Sequence, residues 1–151
     1  MILGSFKDMD GGERVSRPRY WWYRNVCAAI GQYPALRDRI DDRGRQSVTA
    51  SVSGMPHGSG VGRPAEAAAL RAVCAREYDD YIAVQRAIDT AKGWPDGDLV
   101  LDIVSMWHWM RVKNFDYIAD KLHVSERTAR RYNSRFVYLV ARNMGYYDKL
   151  A

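Results

Sequence analysis

The chain has 151 residues, 47% hydrophobic and 27% charged, which amounts to one globular domain, or two very small lobes sharing a core, and argues against a wholesale disordered polypeptide. Its formal charge of +5 favours polyanionic partners, and no run of about eighteen apolar residues offers a membrane span. Cys27 and Cys74 are too few for a disulfide scaffold, and residues 1–13 lack the basic and apolar regions of a signal peptide, so a reduced cytoplasmic protein is expected.

Residues 1–15 mix Gly, Asp, Lys and Glu without periodicity and read as a flexible leader. Ser16 before Arg17 and Pro18 is a helix-start signal. From there to about Arg43, Trp22, Val26, Ile30, Tyr33, Leu36 and Ile40 recur at three- and four-residue steps and define one helical face. Pro34 removes a backbone donor inside that stretch, which predicts a kink or two helices meeting near residues 31–34. The arginine–aromatic run at 17–24 could stack bases or sugars, but half of its rings must face inward on any helix, and core packing is the expectation.

Between 44 and 64, five Gly, four Ser and two Pro predict a long loop, with a short extended piece at 47–52. Its GMPHGSGVG segment lacks the G-K-[ST] ending of a phosphate loop. A second helix starts at Pro64 and carries Leu70, Val73, Cys74, Tyr81, Val84 and Ile88 to about Lys92. The Gly-Trp-Pro-Asp-Gly run at 93–97 is a turn. Asp98 can cap a third helix, with Leu99, Ile103, Met106, Trp107 and Met110 on one side and Asn114 at its end.

Helices are then expected at 115–122 and 125–143, with a tight turn between them. Ile118, Ala119 and Leu122 form the inner face of the first, and Val124 plugs the corner. Ser125 caps the second, in which Ala129, Tyr132, Phe136, Leu139 and Val140 point to the core. His123 occupies a turn position where glycine is common, because positive φ is often required there. This is the logic of a helix-turn-helix.

The other face of the last helix suits DNA. Arg127, Arg130, Arg131 and Ser134 stand at i, i+3, i+4 and i+7, flanked by Arg135, and guanidinium forks match both phosphates and the guanine edge. Ser125 and Thr128 can offer hydroxyls and first-turn N–H groups to a phosphate, and Glu126 can either accept from a cytosine amine or repel wrong placements. An arginine stripe is more often a solvated surface than a groove reader. Here the I-A-x-x-L-x-V-S pattern, the short turn and five Arg against one Glu between 125 and 142 favour the reader. That helix alone carries +4 of the chain's +5.

Nothing else carries chemistry. No nucleophile–base motif stands out, and the neighbouring acids Asp41 and Asp42, or Asp79 and Asp80, point to different sides of a helix. Cys27, Cys74, His57, His108 and His123 have no metal-ligand spacing. No enzymatic activity, metal or cofactor is expected. The expected fold is all-α, with a long Gly/Ser-rich loop and a C-terminal helix-turn-helix. The expected division is a leader at 1–15, an N-terminal helical region at 16–96 and a DNA-binding domain at 97–151.

Three runs, TASVSGMPHGSGVGRPAEAAALR, AVQRAIDTAKGWPDGDL and IADKLHVSERTARRYNSRFVYLVA, together resemble the RinA/ArpU-type phage transcriptional regulators over about residues 20–147. The last run is also similar to region four of bacterial sigma factors. The resemblance implies a phage-encoded activator of late packaging and structural genes, binding double-stranded DNA with RNA polymerase in the bacterial host cytoplasm. Q-type antiterminators, which join RNA polymerase at late promoters, share the loop-plus-sigma-like layout. Small terminase subunits also carry helix-turn-helix units, but as oligomeric packaging scaffolds with a long C-terminal oligomerisation helix. Here the sequence runs only to Ala151 after the recognition helix, which argues against that alternative. The aromatic helix and the loop are the candidate contacts for polymerase or for a second protomer in a homo-oligomer.

Overall fold

A computed structural model describes residues 20–49 and 64–146. The expected leader, the Ser16 start signal and the loop between 50 and 63 lie outside the described residues. Within them the chain is helical and contains no strand. The elements are α1 (Tyr23–Thr49), α2 (Pro64–Lys92), α3 (Gly97–Val104), a π-helical turn (Ser105–Trp109), α4 (Phe115–Lys121) and α5 (Glu126–Asn143).

The face expected on α1 is the observed one. Trp22, Val26, Ile30, Tyr33 and Leu36 are buried, and Ile40 is half-buried. Two expectations at its ends change. Residues 20–22 form a turn rather than helix, closed by the Tyr23 N–H on the Tyr20 carbonyl at 3.1 Å. The helix also runs to Thr49, so residues 44–49 are not loop and 47–49 are not extended.

Pro34 does not divide α1 into two helices, because the carbonyl it orphans finds another donor. Proline has no N–H for the carbonyl four residues earlier. That carbonyl, Ile30 O, accepts instead from the Trp109 indole N–H at 2.8 Å.

Val84, Ala87, Ile88 and Ala91 of α2 pack on α1, and an Arg39–Glu77 ion pair at 3.3 Å joins the two helices at the surface. The turn after α2 is tight. A Cβ added to Gly97 would stand 2.2 Å from the Ala91 carbonyl oxygen, so only glycine lets α3 start against the end of α2. The cap position of α3 is Asp96 rather than Asp98, which lies in the first turn.

The third helix also departs from expectation. Its α-helical part stops at Val104, the π turn follows, and Asn114 caps α4 by accepting from the Tyr117 N–H at 3.1 Å. Its inner face is Val100, Ile103, Val104 and His108, while Met110 is 65% exposed. The reason is that α3 lies between two cores and is apolar on two sides. Val100 and Val104 join the main cluster with Trp22, Val26, Ile30 and Phe136. Ile103 joins a second cluster with Phe115, Ile118, Ala119 and Ala129, on which Leu99, Met106 and Trp107 pack.

Candidate nucleic-acid interface

The last two helices follow the sequence closely. Ile118 and Ala119 are buried, α4 ends at Lys121, and His123 in the turn after it has a φ of 57°, in the left-handed region. That conformation turns the chain so that the His123 N–H reaches Asp120 O at 3.3 Å and the Val124 N–H reaches Ala119 O at 3.0 Å. The carbonyls at the end of α4 are thereby satisfied, as glycine usually arranges. Val124 packs on the second cluster at the corner.

Ser125 caps α5. Its Oγ accepts from the Thr128 N–H at 3.1 Å, and its hydroxyl donates to Thr128 Oγ1 at 2.8 Å. The two hydroxyls expected to meet a phosphate therefore engage each other. The first-turn N–H groups of Glu126 and Arg127 have no carbonyl within the helix.

On the inner side of α5, Ala129, Phe136 and Val140 are buried as expected, whereas Tyr132 and Leu139 are half-buried. Asn133, Val137 and Ala141 complete the buried face. Asn133 is the surprise, because a polar amide sits in the core 3.0 Å from the His108 ring. The partners are 25 residues apart, and no spacing rule could have joined them.

The arginines do not form one equivalent stripe. Arg127 and Arg131 are exposed, and neither forms an ion pair among the described residues; the Arg131 guanidinium lies 5.3 Å from the neighbouring Tyr132 ring centre. Arg130 is held on the α4 side: its Nε donates to Glu126 Oε1 at 2.8 Å, and its guanidinium lies 4.9 Å from the Phe115 ring centre. Glu126 thus neutralises an arginine one turn away. Arg135 is held on the opposite edge, 3.7 Å over Trp94 and 3.9 Å from the Asp96 carboxylate. Ser134 is half-buried beside the exposed pair.

One further cation adjoins this surface. The Lys113 ammonium donates to Trp107 O at 2.8 Å and sits 4.6 Å over the Trp107 ring, which stacks on Phe115 at 3.8 Å. Partial burial lowers its pKa. Cation–aromatic contacts thus run Lys113, Trp107, Phe115, Arg130 along one side of α4. Sequence reasoning missed this because the contacts depend on the π turn.

The N-terminal aromatics pack inward instead. Trp22 is 1% exposed and makes an edge contact with Tyr138 of α5, and Tyr20 stacks on Trp22. Only Trp21, at 71% exposed, projects outward from this turn. No described helix is long and apolar enough to cross a membrane. Compared with protein-family models, curated proteins and solved structures, the chain matches none of them.

Proposed function

We propose that this chain is a sequence-specific reader of double-stranded DNA that regulates transcription, with α4 and α5 acting as a helix-turn-helix. The observation that carries the reading is the first half of α5. Its inner face is buried against α4 and the π turn, while Arg127 and Arg131 project into solvent without an ion-pair partner among the described residues. Two such guanidiniums one turn apart can enter a major groove with Ser134 beside them, and Arg130 and Arg135 stand at the two edges, where phosphates pass.

The resemblance to RinA/ArpU-type regulators extends the proposal to a phage activator of late genes, working with RNA polymerase in the bacterial cytoplasm. A pool of DNA duplexes with a randomised central segment, selected on the protein, tests the first part. Enrichment of one motif is expected. Arg127→Ala or Arg131→Ala then weakens binding to that motif by about 1–3 kcal/mol for each base edge no longer read. Affinity also falls steeply with salt, as displaced counterions require. No enrichment together with a flat salt response rejects the proposal.

In vitro transcription from a phage late promoter, with and without a downstream terminator, tests the second part. Stimulated initiation supports the activator. Readthrough alone identifies a Q-type antiterminator, and no effect on either leaves a DNA-packaging role of the small-terminase kind.

A further inference from the structure

A helix that reads base edges must be fixed not only in place but also in rotation about its own axis. Apolar packing selects which face turns inward, but the force behind it is not itself directional. A hydrogen bond does it well, because it weakens steeply with misalignment. Besides the Asn143 amide, which donates to Ala83 O at the far end of the helix, α5 holds one directional contact of this kind, on the inner face of its first half. His108 and Asn133 are the buried polar side chains among the described residues, 5% and 3% exposed, and they bond to each other at 3.0 Å. Asn133 lies between the two exposed arginines and Arg135 in sequence, on the opposite face of the same turns.

The other partner is itself held. His108 belongs to the π turn, in which the Met110 N–H reaches back five residues to Ser105 O at 2.9 Å. Such turns are rare, and they are found frequently at functional sites. This one is tied to α1 next door: the Trp109 indole bonds the Ile30 carbonyl that Pro34 leaves open, and the Trp109 ring stacks on Tyr33. The His108 carbonyl lies 3.9 Å from where a Cβ of Gly31 would stand, so the turn rests directly on α1.

We infer that His108 and Asn133 are positioning residues for DNA recognition: their buried hydrogen bond, anchored through the π turn to α1, sets the rotation of α5 and hence the direction in which Arg127 and Arg131 point. The inference rests on the proposed DNA-reading function. It goes further by assigning base discrimination to a pair that touches no DNA. Buried polar pairs elsewhere set register in just this way, at little gain in stability.

The consequence separates two kinds of binding. Phosphate attraction tolerates a small rotation of the helix, whereas bidentate contacts to a base edge do not. Removing the pair should therefore spare non-specific binding and weaken discrimination.

The test uses the full chain, the enriched duplex and poly(dI-dC) as the non-specific competitor. In His108→Phe/Asn133→Leu both polar groups are replaced by apolar groups of similar shape, a change that can leave stability nearly untouched. Its ratio of specific to non-specific affinity is expected to fall about tenfold or more, with poly(dI-dC) affinity unchanged. His108→Gln, which keeps a donor for Asn133 Oδ1, is expected to retain most of the discrimination. A purely structural role predicts the opposite: a folded double variant that discriminates like the wild type, and that result overturns the inference. Should the double variant not fold, Trp109→Phe carries the test by releasing the π turn from Ile30 O without touching the pair. Its discrimination must drop at least about threefold, and wild-type discrimination there overturns the inference too. If the wild-type protein enriches no motif, the functional reading has failed instead, and the two failures are told apart before any variant is made.

Discussion

The two halves of α5 have similar arginine content and opposite surroundings. In the second half, Phe136, Val137, Val140 and Ala141 are fully buried against α1, α2 and α3, and Tyr138 on the outer side is covered by Tyr20 and Trp22. The Asn143 amide donates to the Ala83 carbonyl of α2 at 3.0 Å. In the first half only Ala129 and Asn133 are buried, and the opposite side is open. One end of a single rigid element is gripped on most sides, with Arg135 and Arg142 left in solvent, while the other is presented. Regular i→i−4 hydrogen bonds make the helix stiff enough to transmit that grip along its length.

The contrast can be broken at either end. The largest expected effect is on the gripped half. Trp22→Ala should lower unfolding free energy by about 3–5 kcal/mol, measured by urea denaturation, while the remaining folded molecules keep their DNA affinity. A variant that binds more weakly with stability intact would show that the aromatic turn is itself a contact surface.

The next effect concerns the junction of the halves. Burial pushes the His108 pKa down from 6.5 to about 4. The folded protein therefore holds this ring neutral, whereas below pH 6.5 the unfolded chain takes up a proton there. The associated stability is complete above pH 6.5 and declines as pH falls from there through 4, by about 3 kcal/mol in all. Urea midpoints across this range should show the decline, and His108→Gln should flatten it; an equal slope in both proteins would place its origin in the carboxylates.

On the presented half, Arg127→Ala with Arg131→Ala should change stability by no more than about 0.5 kcal/mol, while the proposed function expects each to weaken binding to DNA. A calorimetric melt beside a gel shift on the same preparations separates the two. The smallest effect is expected from Glu126→Gln. Without its pair to Arg130, stability falls by about 0.3–0.5 kcal/mol, and the released charge should tighten binding to any duplex at low salt. Weaker binding to the enriched site alone would make Glu126 a reader of cytosine.

Where one face of a helix decides its packing, the sequence was readable. Trp22, Val26, Ile30, Tyr33 and Leu36 repeat with helical period because α1 meets its neighbours along one side. Ser125 and His123 could be placed because capping and left-handed turns follow local chemistry. The third helix could not be phased, since Leu99, Val100, Leu101, Ile103 and Val104 leave it apolar almost all round, and it serves two cores. The π turn has no sequence signature. The division of the arginines into two outward-pointing and two held ones depends on Phe115, Trp94 and Asp96, whose contacts with α5 are made only in the folded molecule.

The proline in α1 has a consequence for the order of folding. A helix normally satisfies its own carbonyls as it grows, so its middle is its most locally determined part. In α1 the middle is the exception. The donor for Ile30 O comes from 79 residues further along the chain, so a nascent α1 carries a water-bonded carbonyl at its centre until Trp109 arrives. Amide exchange during refolding should find the segment around Ile30 and Tyr33 protected late, together with the π turn and not with the ends of its own helix. Among the described helices, α1 would then be one of the last to close.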